Sequence, residues 1–422
     1  MSFSQALSGL NSQAQKLGTI GNNIANSQTV GFKGSNVQFS DVFANSKVGL
    51  GTRVTTVMQN FSEGNVESTN RNLDLAVAGS GFFRFQDTSG EVVYSRNGQL
   101  SMKANGDLVN AQGFQIMGYG LNAQGEVQVG GQPQALNVSA EELAASATTR
   151  VGTTLNLDAR KQPGSDDLST TEVVDSTGNP QMIDYHYSNN FTVYDSLGNP
   201  RNVTVYYEKT AANDWTAKMT LDGKTLDDGA GNVTAYSVQF DANGKLVNAA
   251  GSVDANGAIP GVTFSSADYL GGEPVDLTFD LNLAGTTQFG NTSTVSSLTQ
   301  NGYTSGTLVG ITIDEDGVIM RNYSNEESRP AGQISLVSFR NPEGLTPAGD
   351  NVWRASNESG QELVGAPGTG LLGGVVSGAV ETSNVDMARE LVSMIVAQRA
   401  YQANSQTIKT QDELLQTAIN LR

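Results

Sequence analysis

The chain has no cysteine and only one histidine, His186, in 422 residues. Without thiols there is no disulfide framework, no cysteine nucleophile and no cysteine-ligated zinc. One imidazole in the alternating run Asp184-Tyr-His-Tyr187 reads as a surface strand residue, since a metal site or catalytic dyad needs partners that no spacing supplies. Basic residues are also few, 24 against 42 acidic ones, for a net charge of −18. That balance excludes nucleic acid, whose phosphates need clustered Lys and Arg, and an anionic membrane surface. No run approaches the roughly 20 apolar residues of a membrane span. The first charge is Lys16, so the start lacks the basic region of a secretory leader. A soluble, uncleaved chain without membrane insertion is expected.

Apolar residues make up 37% and charged residues only 16%, a balance that favours a packed core over disorder. At roughly 100–200 residues per domain, the length predicts two to four domains. The 48 glycines are too irregular for collagen and fit many tight turns between short strands.

The two ends differ from the middle. Phe3, Ala6, Leu7, Leu10, Ala14, Leu17, Ile20 and Ile24 recur at spacings of mostly three and four, which predicts an amphipathic helix with a narrow seam. Near the C-terminus, Met387, Leu391, Met394, Tyr401, Ile408, Leu415 and Ile419 follow the same register, with no Pro or Gly from Ala379 onward. That helix could run about 35 residues, or about 50 Å, with Asn384 or Ser383 as its N-cap ahead of Asp386. Burying the eight N-terminal apolar side chains gains about 10–15 kcal/mol. Ordering about 22 backbone residues costs about 1–2 kcal/mol each. Neither helix persists alone; each needs a partner surface. An intramolecular helical hairpin and a polymerisation device both satisfy that need.

Between the ends the period is two, as in Asn190-Phe-Thr-Val-Tyr194 and Val275-Asp-Leu-Thr-Phe-Asp-Leu281. Asp or Asn followed three residues later by Gly recurs at 87–90, 122–125, 175–178, 195–198, 241–244, 254–257 and 314–317. The first residue caps the backbone and Gly supplies a positive φ, so each is expected to be a turn. Asp-Ser-x-Gly-Asn-Pro, at 175–180 and 195–200, reads as paired hairpin turns. Asp314-Glu-Asp-Gly317 lacks the spacing of a calcium loop and is expected to be a plain turn. Carboxylates are plentiful, but no pair is singled out for acid–base work. Residues 28–70 are polar and Gly/Asn/Ser-rich and read as an extended linker; glycine-rich Gly360–Gly378 reads as a hinge before the last helix.

The run Ser8–Lys33 holds Asn22-Asn-Ile-Ala-Asn26 and ends in Gly31-Phe-Lys33. The far end holds Glu381-Thr-Ser-Asn-Val-Asp-Met-Ala-Arg-Glu390 and Met394-Ile-Val-Ala-Gln-Arg-Ala-Tyr-Gln-Ala-Asn-Ser405. Leu73-Asp-Leu-Ala-Val-Ala-Gly-Ser-Gly-Phe-Phe83, Tyr94-Ser-Arg-Asn-Gly98 and Tyr323-Ser-Asn325 lie between them. These blocks resemble the axial proteins of the bacterial flagellum, the family of rod, hook and hook-associated subunits. An additional β segment carrying Phe191-Thr-Val-Tyr-Asp-Ser-Leu-Gly-Asn-Pro200 resembles the outer domain of the family's hook members.

The resemblance implies an α+β, mainly β fold, with nested β domains and coiled-coil helices at both termini. Residues 1–27 and 380–422 would form a helical polymerisation core, with 28–70 and 364–379 as extended hinges. Residues 71–145 and 286–363 would form a discontinuous inner β domain, and 146–285 an outer domain inserted in it. Phe3, Leu7, Leu10, Leu17, Ile24, Met387, Leu391, Met394, Tyr401, Ile408, Leu415 and Ile419 would line the subunit interface. The implied function is non-enzymatic, without cofactor or metal: a curved, flexible tube acting as a universal joint. The implied partners are copies of the chain itself, the rod protein, the hook cap protein, the hook–filament junction protein and the flagellar type III export apparatus. The implied place is the basal body and hook, outside the cell. A distal rod subunit is the alternative within the family; a secreted β-rich hydrolase or adhesin is the alternative outside it.

Overall fold

The computed structural model describes residues 3–42, 49–164, 167–228 and 231–420, without the side chains of 418 and 420. Among these residues the chain is mostly β, with one long helix towards each end. α1 spans Phe3–Ala25 and α2 spans Met387–Asn420. Both follow the apolar period read from the sequence. The N-cap of α2 is a correction: Asp386, rather than Asn384 or Ser383, occupies it. Asp386 Oδ1 accepts the Arg389 N–H at 3.1 Å, which satisfies a free donor of the first turn.

The chain divides into two compact units. Unit 1 comprises residues 1–140, 309–322 and 328–422; unit 2 comprises 141–308 and 323–327. In unit 1, β1 (Ser35–Val42) and β2 (Gly51–Gln59) form an antiparallel pair beside α1. The large sheet of unit 1 runs in the order 308–313, 318–323, 328–334, 115–119, 82–86, 92–95, 352–354, 346–349. Phe83, Phe85, Ile116, Ile334 and Leu336 are fully buried in its core. A second cluster gathers Phe82, Tyr94, Phe339 and Trp353, with Phe61 packed edge-on to Phe82 and Trp353.

In unit 2 one sheet runs in the order 180–185, 169–174, 224–225, 214–221, 200–211, 187–194. A second sheet joins 258–264, 277–282, 150–158, 287–289 and 294–300. Alternate residues of both sheets, including Tyr207, Trp215, Phe264 and Phe279, meet in one core.

All seven Asp/Asn-x-x-Gly motifs are turns. In each, the Gly N–H donates to the carbonyl of the first residue at 3.0–3.2 Å, and the glycine has φ between 75° and 91°. Asp175 shows the further mechanism: its carboxylate accepts the N–H groups of Thr177 and Asn179. The Thr177 hydroxyl, the Asn179 N–H and the side-chain amides of Asn179 and Gln181 hold it down to about 2 against the opposing effect of burial.

Three segments differ from the sequence expectation. Residues 28–70 contain the β1–β2 pair and the strand Val66–Ser68, which pairs with Ala379–Glu381. Gly374–Ser377 pairs with Asp74–Ala78, so 364–379 is not a free hinge either. Val375, Ala379 and Val380 are buried, and that burial offsets the entropy of their glycine-rich surroundings. Residues 286–300, expected with the inner domain, supply strands to unit 2: Thr287–Phe289 and Thr294–Gln300 both pair with Arg150–Asp158.

Candidate functional site

α1 and α2 pack antiparallel within the chain. Gly9 faces Asn404, Asn23 faces Glu390, and Phe3 lies with Gln411, Leu414 and Leu415. The helices approach closely because small residues sit at the contact. A Cβ on Gly9 would lie 2.9 Å from Asn404 Nδ2. Ala6, Ile20 and Ala397 are buried.

The twelve seam residues read from the sequence divide evenly. Leu10, Leu17, Ile24, Met394, Tyr401 and Ile408 are half-buried. Phe3, Leu7, Met387, Leu391, Leu415 and Ile419 remain exposed. The sequence seam did not include Val392, Ile395, Val396 and Leu414, which are exposed at 62%, 52%, 59% and 64%. The helical pair therefore covers part of each seam and leaves apolar side chains of α2 exposed in two groups, at 387–396 and 414–419.

The helices are joined to the sheets at a root where three stretches of backbone cross. Asn23, near the end of α1, exchanges two hydrogen bonds with the Ser35 backbone, at 2.8 and 2.9 Å. Asn384 Oδ1 accepts the Gly34 N–H at 2.9 Å, and its Nδ2 donates to the carbonyls of Asn60 and Ser62. One side chain thus ties both connectors of α1 and β2 to the start of α2.

Beneath Asn384 lies a buried charge cluster. Lys33 Nζ is 2.6 Å from Glu381 Oε1, with the two side chains 0% and 1% exposed. Arg96 Nε is 2.9 Å from Glu381 Oε2, again buried. Glu381 Oε1 also accepts the Gly64 N–H, and Lys33 donates to the Ser62 carbonyl. Arg96 donates to the carbonyls of Gly79 and Gly81 and lies over the Phe82 ring. Burial pulls both Lys33 and Arg96 below their ordinary ranges, against the opposing pull of Glu381.

These contacts account for two motifs noted in the sequence without a role. Gly31 has φ +69°, and a Cβ there would lie 2.6 Å from the Asn97 backbone nitrogen, so Gly-Phe-Lys needs its glycine to place Lys33. In Tyr94-Ser-Arg-Asn-Gly98, Arg96 meets Glu381, while the Tyr94 hydroxyl donates to Glu362 at 2.7 Å. Arg84 grips the same Glu362 carboxylate with two 3.0 Å hydrogen bonds. Burial raises Glu362, but Arg84 and Tyr94 outweigh it and hold the carboxyl below its ordinary range. Asn97 Oδ1 receives the Gln99 N–H and closes the turn. Lys33 and Glu381 are 348 positions apart, so no local spacing announces their pairing.

His186 lies in unit 2. Its Nδ1 accepts the Lys209 N–H at 3.0 Å, and its Nε2 is 3.2 Å from the Gln162 carbonyl. Among the described residues, no group of three His, Asp or Glu side chains is arranged to hold a metal ion. No described helix is long and apolar enough to cross a membrane.

Four family models match the chain. They are the flagella basal body rod protein (residues 4–33), the flagellar hook protein FlgE/F/G D1 domain (76–143), the flagellar basal body protein FlaE D2 domain (168–303) and the flagellar basal body rod FlgEFG protein C-terminal region (376–421). The flagellar hook protein FlgE of Escherichia coli is 43% identical over the full length of both chains. The chain belongs to the flagellar hook protein family. Hook proteins of Salmonella typhimurium and Rhizobium meliloti are 41% and 32% identical, the former over all of both chains and the latter over 99% of this chain and 97% of the relative. The crystal structure of Helicobacter pylori flagellar hook protein FlgE2 shares the fold, with a TM-score of 0.52 at 14% identity, over 75% of this chain and all of that one. The matches at 4–33 and 376–421 cover nearly all of α1, all of α2, and Lys33, Glu381 and Asn384 of the root.

Proposed function

We propose that this chain is a structural, non-enzymatic subunit of the flagellar hook. It polymerises with copies of itself into a curved, flexible tube that passes torque from the rod to the filament. One observation carries the mode of assembly: α1 and α2 pack together, yet Leu391, Val392, Ile395, Val396, Leu414, Leu415 and Ile419 stay on the surface. Each large apolar side chain gains about 1.5–3 kcal/mol on full burial, so a second copy's helices are the natural cover. The predicted seam residues then serve two contacts, one within the chain and one between chains.

In this reading, unit 2 corresponds to the outer domain of hook proteins, and the sheets of unit 1 to the inner one. The net charge of −18 keeps outer surfaces soluble and mutually repelling. The remaining partners are the rod protein, the hook cap protein and the hook–filament junction protein. Export through the flagellar type III apparatus would place the chain outside the cell. Removing residues 404–422 tests the assembly mode. The shortened chain should retain the β circular-dichroism spectrum and stay monomeric by analytical ultracentrifugation. Tubes formed by it would refute the helical contact.

A further inference from the structure

We propose that the buried Lys33–Glu381–Arg96 cluster is an electrostatic lock that joins the helical pair rigidly to the sheets of unit 1. The proposal concerns the single chain and goes beyond the assembly reading. Every backbone connection between the helical pair and the sheets passes this point. Lys33 follows α1 and precedes β1; Ser62 and Gly64 follow β2; Glu381 precedes α2. Arg96 belongs to the sheet side, between the strands Val92–Ser95 and Gly98–Gln99.

The chemistry of the cluster explains why it would hold. A carboxylate at 1% exposure has no water to fall back on, so its two cations and the Gly64 N–H are its stabilisers. The cations are equally committed. Lys33 has Glu381 and the Ser62 carbonyl, and Arg96 has Glu381 and the carbonyls of Gly79 and Gly81. Pulling any one strand out exposes the others to an uncompensated buried charge, which makes release cooperative. Above the cluster, Asn384 ties Gly34, Asn60 and Ser62 by side-chain bonds. Around it, backbone bonds run from Gly31 N to Glu381 O, Asn60 N to Gly34 O, and Thr382 N to Asn65 O. The glycine-rich connectors are therefore fixed where they cross. Force applied to the helices reaches the sheets through side chains and not through slack backbone.

The test is amide hydrogen exchange on the full chain, with Glu381→Gln as the main variant. Glutamine keeps the shape but leaves two buried cations. In the wild type, the amides of Gly31, Gly34, Asn60 and Thr382 should be protected. In Glu381→Gln they should exchange about 100-fold faster, as expected when one partner of a buried charge pair is lost. The amides of Phe83 and Phe85 in unit 1 and of Tyr207 in unit 2 should be unchanged. If Glu381→Gln does not fold, Lys33→Met leaves the Arg96 pair intact and should raise the same four rates about tenfold. In the double variant, rates should stay within about threefold of Glu381→Gln alone, because the two changes remove one shared interaction. Unprotected wild-type amides, multiplicative effects in the double variant, or equal acceleration throughout unit 1 would each overturn the lock.

Discussion

Replacing Leu391 by aspartate should separate folding from assembly. Leu391 is 46% exposed on α2, so about half of its burial is already made within the chain. Losing that half costs the free subunit about 1 kcal/mol, which a chain of this size should tolerate. In the tube, the exposed half is proposed to be covered by a second copy. Its loss removes about 1 kcal/mol more, and an unpaired carboxylate in the contact adds at least about 2 kcal/mol. A total near 3 kcal/mol raises the critical concentration for polymerisation at least about 100-fold. Pelleting across a concentration series measures that threshold, and a thermal melt followed by circular dichroism checks the fold. A threshold within about threefold of the wild type, with the fold intact, would show that this face of α2 is not a subunit contact.

Three further outcomes follow from particular residues. Gly31→Ala should destabilise unit 1 by about 2–3 kcal/mol in denaturant unfolding, combining a positive φ with a collision at Asn97. Gly113→Ala, with φ +86° but open space around it, should cost only about 1 kcal/mol; equal costs would refute the close approach. His186 is the chain's only histidine, and burial holds it below its ordinary value. The unfolded state then binds the proton more readily, so stability from this group is present above about pH 6.5 and lost as pH falls below it. The His186→Gln variant should lack that slope as pH falls below about 6.5, and an unchanged slope would contradict the assignment. Deleting 146–285 would strip Thr294–Gln300 of its partner strand, whereas deleting 141–308 removes nearly all of unit 2. The shorter deletion should aggregate and the longer one stay soluble in size-exclusion chromatography; the reverse would refute the boundary.

What was legible in the sequence is what depends on neighbours along the chain. A 3–4 apolar period sets the limits of α1 and α2 to within a few residues. The Asp/Asn-x-x-Gly turns are local geometry, so all seven could be read directly. The root was not legible. Lys33 and Glu381 meet only in three dimensions, and Gly31 matters because Asn97 packs against it. The polar composition of 28–70 hid β1 and β2, although Val37 and Phe39 alternate in β1 and Val54 and Val57 lie in β2. Asn384 read as a helix cap because Asn commonly is one. Its side chain instead bonds Gly34, Asn60 and Ser62 on the two connectors that flank β1 and β2, leaving Asp386 to cap the helix. The 285/286 division came with the resemblance, whereas backbone pairing with Arg150–Asp158 carries unit 2 on through Gln300, and the compact unit ends at residue 308.

The central claim is that the helical pair is the polymerisation surface. Electron cryomicroscopy of tubes assembled from this chain tests it most directly. The account predicts a short curved tube whose innermost layer is α1 and α2, with Leu391, Val392, Ile395 and Val396 buried between neighbouring subunits. A tube in which those four side chains stay in solvent, or a preparation that remains monomeric at high concentration, would contradict it.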